Sequence, residues 1–319
     1  MNKKPSLTVF TPAYNRAGEI KTAYDSLKRQ TNKDFVWLVV DDGSTDDTAG
    51  VVKGFQKEGK VDIKYIYREN GGKMRAHNTG VLNCETELFV CLDSDDHLSD
   101  TAVDDILNAW RDAAGSNAAD SGKDTEASSG DSESSGSGSN KADELAGIIA
   151  YKGENVVKVL YGNTFPKKQG RRVSFRELYR SGFKGETTLV FRTDLLRENL
   201  FPEIEGEKYV PEDVVYDRID EGHVFYLLPR ILTICELMSR GLTDRAKELR
   251  YEAPTGWFIY YYQRAMAWPW SLMRIKFASH YLRFWSAVDI KHRKEYRLPR
   301  KLILVGIPGW AVLTLFRKR

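Results

Sequence analysis

Four short apolar runs, each followed by a helical pattern, constrain the fold of the first 114 residues more than any other feature. The runs are 6–10, 34–40, 61–67 and 87–92, and helical patterns follow each of them. This alternation predicts a mainly parallel, buried sheet, because parallel strands are joined by crossover helices. Ligands of such sheets bind beyond the carboxyl ends of the strands. The segments TPAYNR, DDGSTDD, ENGGK and DSDD all follow a strand, so the sequence predicts a binding site there.

The segment VCLDSDDHL, residues 90–98, places Asp93, Asp95 and Asp96 at the end of the fourth run. Carboxylate oxygens suit Mg²⁺ or Mn²⁺, with substrate phosphates completing the coordination. The alternative is a turn leading into a helix, because acidic residues are favoured at helix N-termini. A helix start explains Asp100 and Asp104 well, but it explains three aspartates beside an apolar strand poorly.

Two further segments carry groups suited to a nucleotide. In DDGSTDDT, an aspartate at a strand end can accept hydrogen bonds from a nucleobase imide or ribose hydroxyls. A common strand-to-helix turn is the alternative for this segment. In ENGGK, two glycines permit a tight turn or close approach to a ligand, and Lys73 and Arg75 can neutralise phosphates. Neither a Walker loop nor a GxGxxG pattern is present in the sequence.

Residues 115–140 differ from the rest of the chain. Fourteen of these 26 residues are Ser or Gly, and none is a large apolar residue. Such a segment cannot bury enough surface to offset its ordering entropy. Because a new apolar strand follows at 144–151, we predict a disordered insertion within a domain that spans residues 1–239.

The C-terminal region, residues 240–319, is basic and rich in aromatic residues. It carries 17 Lys or Arg against 5 Asp or Glu, and five of the seven tryptophans. This combination suits a surface of anionic lipid headgroups, whereas the alternative is a packed helical domain with solvated charges. The apolar run 302–316 is shorter than the roughly 20 residues of a spanning helix. We predict a helical, membrane-associating region, and the absence of nucleic-acid-binding signatures predicts no nucleic acid partner.

Cysteine usage and the N-terminal sequence bear on the compartment. Cys84, Cys91 and Cys235 are too few and too scattered for a disulfide framework or a zinc site, which favours a reducing compartment. The apolar stretch in MNKKPSLTVFTPAYNR is too short for a signal peptide. We therefore expect a cytoplasmic protein, peripheral at the inner face of the cell membrane.

Four segments, in this order and at these intervals, resemble the family 2 glycosyltransferases: TPAYNR, VVDDGSTDDT, ENGGKMRAHNTG and LDSDD. The resemblance covers residues 5–110 and resumes at 184–204 and 211–219. It implies an α/β glycosyltransferase A fold, with a Rossmann-like sheet flanked by helices. It also implies inverting transfer of a sugar from a nucleotide diphosphate to an acceptor hydroxyl, assisted by Mn²⁺ or Mg²⁺, in surface polysaccharide or glycan assembly.

The resemblance also assigns roles to residues of the nucleotide half. Asp42 would accept a hydrogen bond from the nucleobase, and Lys73 and Arg75 would lie between the nucleotide and the diphosphate. Asp93 and Asp95 would form the DxD-type motif, with Asp95 binding the metal and Asp93 binding it or positioning the donor. Asp96 is either a second ligand or a turn residue. The floor for the nucleobase would comprise Thr11, Pro12, Ala13 and Tyr14.

Glu212 and Asp213 match the family's acidic pair, in which the aspartate is the catalytic base. An acceptor hydroxyl needs a carboxylate to take its proton, and a single base with no nucleophilic carboxylate gives inversion. A solvated helix start after Pro211 is the alternative. Gln263 and Arg264 resemble part of the QxxRW motif of processive members, but the spacing differs, so we predict transfer of single sugars.

The expected partners are a nucleotide-diphosphate sugar, with a UDP-sugar as first candidate, and a glycan or lipid-linked acceptor. A membrane surface would contact residues 240–319. The rival interpretation is a non-catalytic, membrane-bound protein that binds a nucleotide sugar or a partner without turnover. A phosphoacceptor receiver domain would need an acidic pair after the first strand, where this chain has TPAYNR.

Overall fold

The computed structural model describes residues 5–120, 144–162, 164–165, 172–235 and 246–315. The strands in these ranges are β1 (Leu7–Ala13), β2 (Phe35–Asp41), β3 (Ile63–Tyr67), β4 (Leu88–Cys91), β5 (Asp96–Leu98), β6 (Glu144–Gly153), β7 (Arg172–Val173), β8 (Thr187–Arg192) and β9 (His223–Cys235). The helices are α1 (Ile20–Arg29), α2 (Thr48–Glu58), α3 (Lys73–Leu82), α4 (Ala102–Asp120), α5 (Phe175–Arg180), α6 (Thr193–Glu198), α7 (Asp213–Ile219), α8 (Ala246–Glu252), α9 (Pro254–Ala267), α10 (Leu272–Phe284), α11 (Ile290–Glu295) and α12 (Arg300–Leu315).

The chain divides into two compact units. The first holds Met1–Asn70, Thr79–Glu198 and Ile219–Leu237, and the second holds Gly71–Asn78, Asn199–Arg218 and Met238–Arg319. Two segments that precede residue 239 therefore belong with the C-terminal region. One reason is local pairing, since the Asn78 amide donates to the Phe201 carbonyl and accepts from the Phe201 N–H, both at 2.9 Å.

The first unit contains a mixed sheet with the strand order β3-β2-β1-β4-β8-β6-β9-β5, and β7 pairs with β9. The strands β1 to β4 are mutually parallel, which matches their alternation with helices. Beyond them β8 runs antiparallel to β4 and to β6, whereas β6 and β9 pair in parallel, so the sheet is mixed. The predicted α/β fold with a helical C-terminal region is confirmed.

Burial of β1 and β2 explains why the parallel part is stable. Every residue of β2 is buried, and so is all of β1 except Pro12. The Trp37 ring lies 5.9 Å from that of Tyr24 in α1 and 6.3 Å from that of Phe55 in α2. Its indole N–H donates to Thr11 Oγ1 at 2.9 Å, which satisfies a buried donor. These contacts hold α1 and α2 against one face of the sheet, and they hold β1 and β2 together.

The strand β1 runs three residues further than predicted, through Thr11 and Pro12. Its register with β4 ends at Phe10 and Cys91, whereas its register with β2 continues to Ala13 and Asp41. Beyond Phe10 one edge of β1 is therefore unpaired by β4, and proline is tolerated at such an edge because it lacks an N–H. Because of this extension, the first residues of the TPAYN segment, Thr11 to Ala13, pair with β2.

The segment 115–140, predicted as a disordered insertion, is described only in part. Helix α4 continues to Asp120, so residues 115–120, the first six of the segment, extend this helix and do not form a loop. Residues 121–140 lie outside the described part of the chain. All three cysteines lie in the first unit as free thiols, and of these Cys84 is buried while Cys91 and Cys235 are half-buried.

The second unit has an aromatic core built from its C-terminal helices. The Phe258 ring of α9 stacks on that of Tyr281 in α10 at 4.3 Å, and Tyr281 lies 5.8 Å from Trp285. Several of the C-terminal aromatic residues thus pack against each other, as expected for a helical domain. Among the residues that the structure describes, no helix is long and apolar enough to cross a membrane.

Candidate functional site

The loops after β1 and β2 are tied together by the side chain of Asn15. This residue has a positive φ of 53°, which asparagine tolerates better than most residues. Its Oδ1 accepts from the Thr45 backbone N–H at 2.8 Å, and its own N–H donates to Ser44 Oγ at 2.9 Å. The TPAYN and DDGST segments therefore form one continuous surface at the carboxyl ends of β1 and β2.

The two aspartates at the carboxyl end of β2, its last residue Asp41 and the following Asp42, have different environments. Asp41 is buried and accepts from the Ser44 N–H at 2.8 Å and from the Tyr65 hydroxyl at 2.6 Å. Asp42 is also buried, and it pairs with the Arg68 guanidinium and the Asn70 amide. Arg68 and Asn70 were not singled out from the sequence, although Asn70 belongs to the ENGGK segment.

The predicted nucleobase floor is partly used by the fold itself. Thr11 is fully buried with its hydroxyl bonded to Trp37, and Ala13 is buried as well. Pro12 is half-buried, and Tyr14 is 49% exposed. Of these four residues, Tyr14 presents the largest accessible surface to a ligand, and Thr11 contributes to the core of the sheet.

The DSDD segment forms a turn in which the side chains alternate. The Asp96 N–H donates to the Asp93 carbonyl at 3.1 Å, which closes the turn before β5. Asp93 and Asp95 are half-buried, while Ser94 and Asp96 are buried. This alternation separates the three aspartates into an accessible pair and an interior residue.

Asp96 is the interior residue, and its partners lie within the sheet. Its carboxylate accepts from the Cys235 thiol at 3.2 Å in β9 and lies 3.7 Å from Lys152 Nζ in β6. Burial raises the pKa of Asp96 to about 6, with Lys152 opposing that shift. These contacts favour the turn or structural role for Asp96, which the sequence left open beside a ligand role.

A divalent metal implied by the motif would depend on Asp93 and Asp95. In the described residues no group of three or more His, Cys, Asp and Glu side chains could hold a metal ion by itself. Two carboxylates plus substrate phosphates are nevertheless a set that Mg²⁺ commonly uses. The residues present therefore fit a metal that is held jointly with a phosphorylated ligand.

In the ENGGK segment, Gly72 allows the backbone to approach another backbone segment closely, at Lys208. Gly72 has a φ of +95°, and a Cβ there would lie 2.0 Å from the Lys208 carbonyl oxygen. Both residues belong to the second unit. The approach fixes the start of α3 against the loop that leads to Glu212 and Asp213.

Replacing Gly72 by Ala should lower the free energy of unfolding by about 1–3 kcal/mol, because it adds a backbone clash to an unfavourable φ. Gly182 provides a matched control, since its φ is +90° and a Cβ there would meet nothing within 4 Å. Urea denaturation of both variants measures the two costs. Equal losses for Gly72→Ala and Gly182→Ala would show that the approach to Lys208 contributes nothing.

The basic residues of α3 contact other parts of the second unit. Lys73 Nζ lies 3.2 Å from Glu212 Oε1. The Arg75 guanidinium donates to the Ile204 carbonyl at 2.8 Å and lies 3.8 Å from Glu203. Arg75 therefore helps to order the loop before α7, a role that the sequence did not predict.

His77, one turn after Lys73, is buried against the edge of the Phe201 ring at 5.2 Å. Burial lowers the pKa of His77 to about 4, so the imidazole is neutral near pH 7. A neutral, packed histidine agrees with a structural role.

The acidic pair at the start of α7 is divided between two different cations. Glu212 pairs with Lys73 as described, whereas Asp213 Oδ1 lies 3.3 Å from Arg264 Nη2 in α9. The Asp213 side chain remains 41% exposed. A carboxylate that is both ionically anchored and accessible can accept a proton from a bound hydroxyl.

The sequence pointed to Arg264 through its likeness to part of the QxxRW motif, but it did not indicate what the side chain contacts. Its guanidinium also pairs with Asp217 and lies over the rings of Tyr260 and Trp268, at 5.1 and 5.9 Å. Burial disfavours its charge, but the carboxylates of Asp213 and Asp217 raise the pKa of Arg264 above its ordinary value. The adjacent Gln263 donates to the Val214 carbonyl at 3.3 Å, so both residues of the QR pair contact α7.

The residues predicted from sequence thus form two sets. The first unit brings together the TPAYN, DDGST and DSDD segments at the ends of β1, β2 and β4. The second unit brings together Lys73, Glu212, Asp213 and Arg264. The contacts by Asn15, Arg68, Asn70 and Arg264 required the structure, because each joins segments distant in sequence.

The sequence matches a known family over most of its first unit. The model of the family described as "Glycosyl transferase family 2" matches residues 8–197, more than half of the chain. Chondroitin synthase of Escherichia coli is 32% identical over 111 residues, which are 35% of this chain and 16% of that protein. The chain spans between 13% and 31% of the length of eight curated relatives.

Two solved structures share the fold at low sequence identity. TarS residues 1–349 of Staphylococcus aureus, in complex with UDP-GlcNAc, has a TM-score of 0.58 and 16% identity, covering 95% of this chain and 79% of that one. The mannosyltransferase PcManGT of Pyrobaculum calidifontis, in complex with GDP-Man and Mn²⁺, has a TM-score of 0.52 and 16% identity, covering 100% and 89%.

Proposed function

This chain belongs to glycosyl transferase family 2, and from that membership we propose that it transfers a sugar from a nucleotide-diphosphate sugar to an acceptor hydroxyl with inversion. The observation that carries the proposal is the anchored carboxylate of Asp213, accessible at the start of α7 and paired with Arg264. If Asp213 served only to begin helix α7, it would not need Arg264, a buried arginine that contacts two carboxylates and two aromatic rings.

The nucleotide would bind at the surface formed by the TPAYN and DDGST segments. Asp42, oriented by Arg68 and Asn70, would accept a hydrogen bond from the base, since a carboxylate offers about four lone-pair positions. Asp41 would lie behind it and support the loop through Ser44 and Tyr65. Tyr14 would cover the base from the exposed side. A UDP-sugar is the first candidate donor, by analogy with the structural neighbour bound to UDP-GlcNAc.

Asp93 and Asp95 would hold a Mn²⁺ or Mg²⁺ together with the diphosphate of the donor. When bound, such an ion neutralises the charge that grows on the leaving diphosphate. A structural neighbour contains Mn²⁺, which supports this choice. Asp96 would support the turn through Lys152 and Cys235, without contacting the ion.

Asp213 would take the proton of the acceptor hydroxyl as the new glycosidic bond forms. Arg264 would hold the carboxylate in one orientation and remain charged throughout, because Asp217 also pairs with it. Glu212 would orient Lys73, whose ammonium group supplies positive charge for the diphosphate side. Displacement by one base with no covalent intermediate inverts the anomeric centre.

We place this activity at a membrane surface, in polysaccharide or glycan assembly, with a glycan or lipid-linked sugar as acceptor. Support comes from the basic, aromatic C-terminal region and from the relative named chondroitin synthase. The location would be the cytoplasmic face of the cell membrane.

A donor panel tests the proposal. UDP-, GDP- and dTDP-sugars are incubated with the full chain, Mn²⁺ and lipid-linked or oligosaccharide acceptors, and the products are read by mass spectrometry. We expect one donor to give a sugar adduct and free nucleoside diphosphate. The rival, a protein that binds a nucleotide sugar without turnover, predicts saturable binding of one donor and no product with any acceptor.

A further inference from the structure

The C-terminal helix α12 presents an apolar face to solvent. Leu304, Ile307, Val312 and Leu315 are 66%, 42%, 52% and 75% exposed. Their spacing, with Pro308 and Ala311 between them, places them on one side of the helix. An apolar stripe of this kind on a surface helix is normally turned toward a core or a partner.

The opposite face of α12 is occupied by α10, so the exposed stripe is not the packing face. Leu302 and Gly306 are buried. A Cβ on Gly306 would lie 3.0 Å from the Ala278 carbonyl carbon, and one on Gly309 would lie 2.3 Å from Ser279 Oγ. Small residues let the two helices approach closely, and this contact fixes the rotation of α12 about its axis.

Positive charge surrounds the N-terminal end of this stripe. Arg300 and Lys301 are exposed at the start of α12. Lys301 Nζ lies 4.9 Å from the Trp270 ring centre, and Arg274 lies over the same ring at 5.6 Å. Trp270 is 54% exposed, and the next large side chain, Leu272, is 85% exposed. An exposed tryptophan in contact with two basic side chains thus adjoins the apolar helix.

We propose that the exposed face of α12, with Trp270, Arg274 and Lys301, binds an anionic lipid surface. From Trp268 to Leu315 the sequence has nine Lys or Arg against two Asp or Glu, which complements negative headgroups. A second copy of the same basic surface would be repelled by this charge. The proposal refines the membrane partner of the proposed function, but it does not require sugar transfer.

The geometry favours a helix that lies in the plane of the interface. α12 has 16 residues and is about 24 Å long, shorter than a tilted span requires. In this orientation its apolar side chains enter the acyl boundary. The stems of Lys301 and Arg300 would run along the apolar layer while their charges reach the phosphates. The indole of Trp270 would occupy the polar boundary.

Vesicle flotation of the full chain, without donor or acceptor, tests the proposal. The two vesicle types are phosphatidylcholine alone and phosphatidylcholine with phosphatidylglycerol at about 7:3, the latter supplying anionic surface charge. We expect binding to the anionic vesicles only, weakened by salt. The double variant Leu304→Glu, Ile307→Glu should lose at least about tenfold in partitioning, because two charges would enter the apolar boundary.

Two matched variants make the result specific. Val156→Glu with Val157→Glu changes two exposed valines of the first unit and should leave partitioning unchanged. Lys301→Gln should weaken binding to anionic vesicles about fivefold, the effect of one basic residue near such a surface. Circular dichroism melting confirms that each variant is folded.

Three outcomes overturn the proposal. They are equal binding to both vesicle types, equal loss in the two double variants, and a wild-type chain that ignores vesicles but forms dimers abolished by Leu304→Glu. Flotation does not depend on turnover. A chain that binds anionic vesicles but gives no product in the donor panel would therefore contradict the proposed sugar transfer and support the proposed lipid binding.

Discussion

Replacing Asp213 by Asn should lower kcat for sugar transfer by about 10²–10⁴-fold, the contribution typical of a positioned general base. Asparagine is nearly isosteric with aspartate and can still face Arg264, so the fold and donor binding should persist. What it cannot do is accept the proton of the acceptor hydroxyl. Steady-state kinetics with the donor found in the panel measure the loss, and KM for the donor should change little.

Asp217 supplies the matched control for this experiment. It lies on the same helix one turn later and also pairs with Arg264, but it is only 17% exposed at its side chain. Asp217→Asn should therefore cost less than Asp213→Asn, and it should keep the pH dependence of kcat that the base confers. If both variants lose activity equally and keep the same pH profile, Asp213 acts as an anchor for Arg264 and the base lies elsewhere.

Replacing Asp95 by Ala should lower transfer by about 10²–10³-fold, which corresponds to roughly 3–4 kcal/mol of transition-state stabilisation. The variant removes one of two accessible carboxylates in the DSDD turn. The Mn²⁺ concentration needed for half-maximal activity should rise. Mn²⁺ binding in the presence of UDP, followed by electron paramagnetic resonance, reports the metal independently of turnover.

Two further variants sharpen the metal assignment. Asp112 is an exposed aspartate of α4, and Asp112→Ala should behave as wild type. Asp96→Asn should keep Mn²⁺ affinity but lower the free energy of unfolding by about 1–3 kcal/mol, because it weakens the buried pairing with Lys152. Loss of Mn²⁺ binding in Asp96→Asn, with retention in Asp95→Ala, would exchange the roles that we assign.

The first half of the fold was predictable because its elements are set by local patterns. The starts and ends of β2, β3 and β4 lie within two residues of the predicted runs. The extension of β1 through Pro12 was not predictable, since it depends on where β4 stops pairing. Neither were the short strands β5 and β7, nor the antiparallel direction of β8, because each depends on a partner distant in sequence.

In the candidate site, too, the sequence predicted some residues, whereas the roles of others depend on contacts between distant parts of the chain. The sequence pointed to Asp42, Asp93 and Asp95 because carboxylates clustered at strand ends are unusual, and to Glu212 and Asp213 through the resemblance to the family. It did not point to Asp217, which pairs with Arg264. It did not separate Asp96 from Asp93 and Asp95, since only the pairing of β5 with β9 buries one of the three. It also could not assign Arg75 to the Ile204 carbonyl, a contact across 129 positions.

The sequence by itself determined the alternation of strands and helices, the family, and the residue types available for chemistry, because these reside in local spacing and composition. Only the tertiary structure decided which charges meet. Arg264 follows Gln263 at a spacing that matches no motif, yet the fold brings its guanidinium to Asp213 and Asp217. The apolar run 302–316 was visible in the sequence, but packing of Gly306 against Ala278 decided which face of α12 remains exposed. Long-range packing sets such contacts, and no local pattern encodes them.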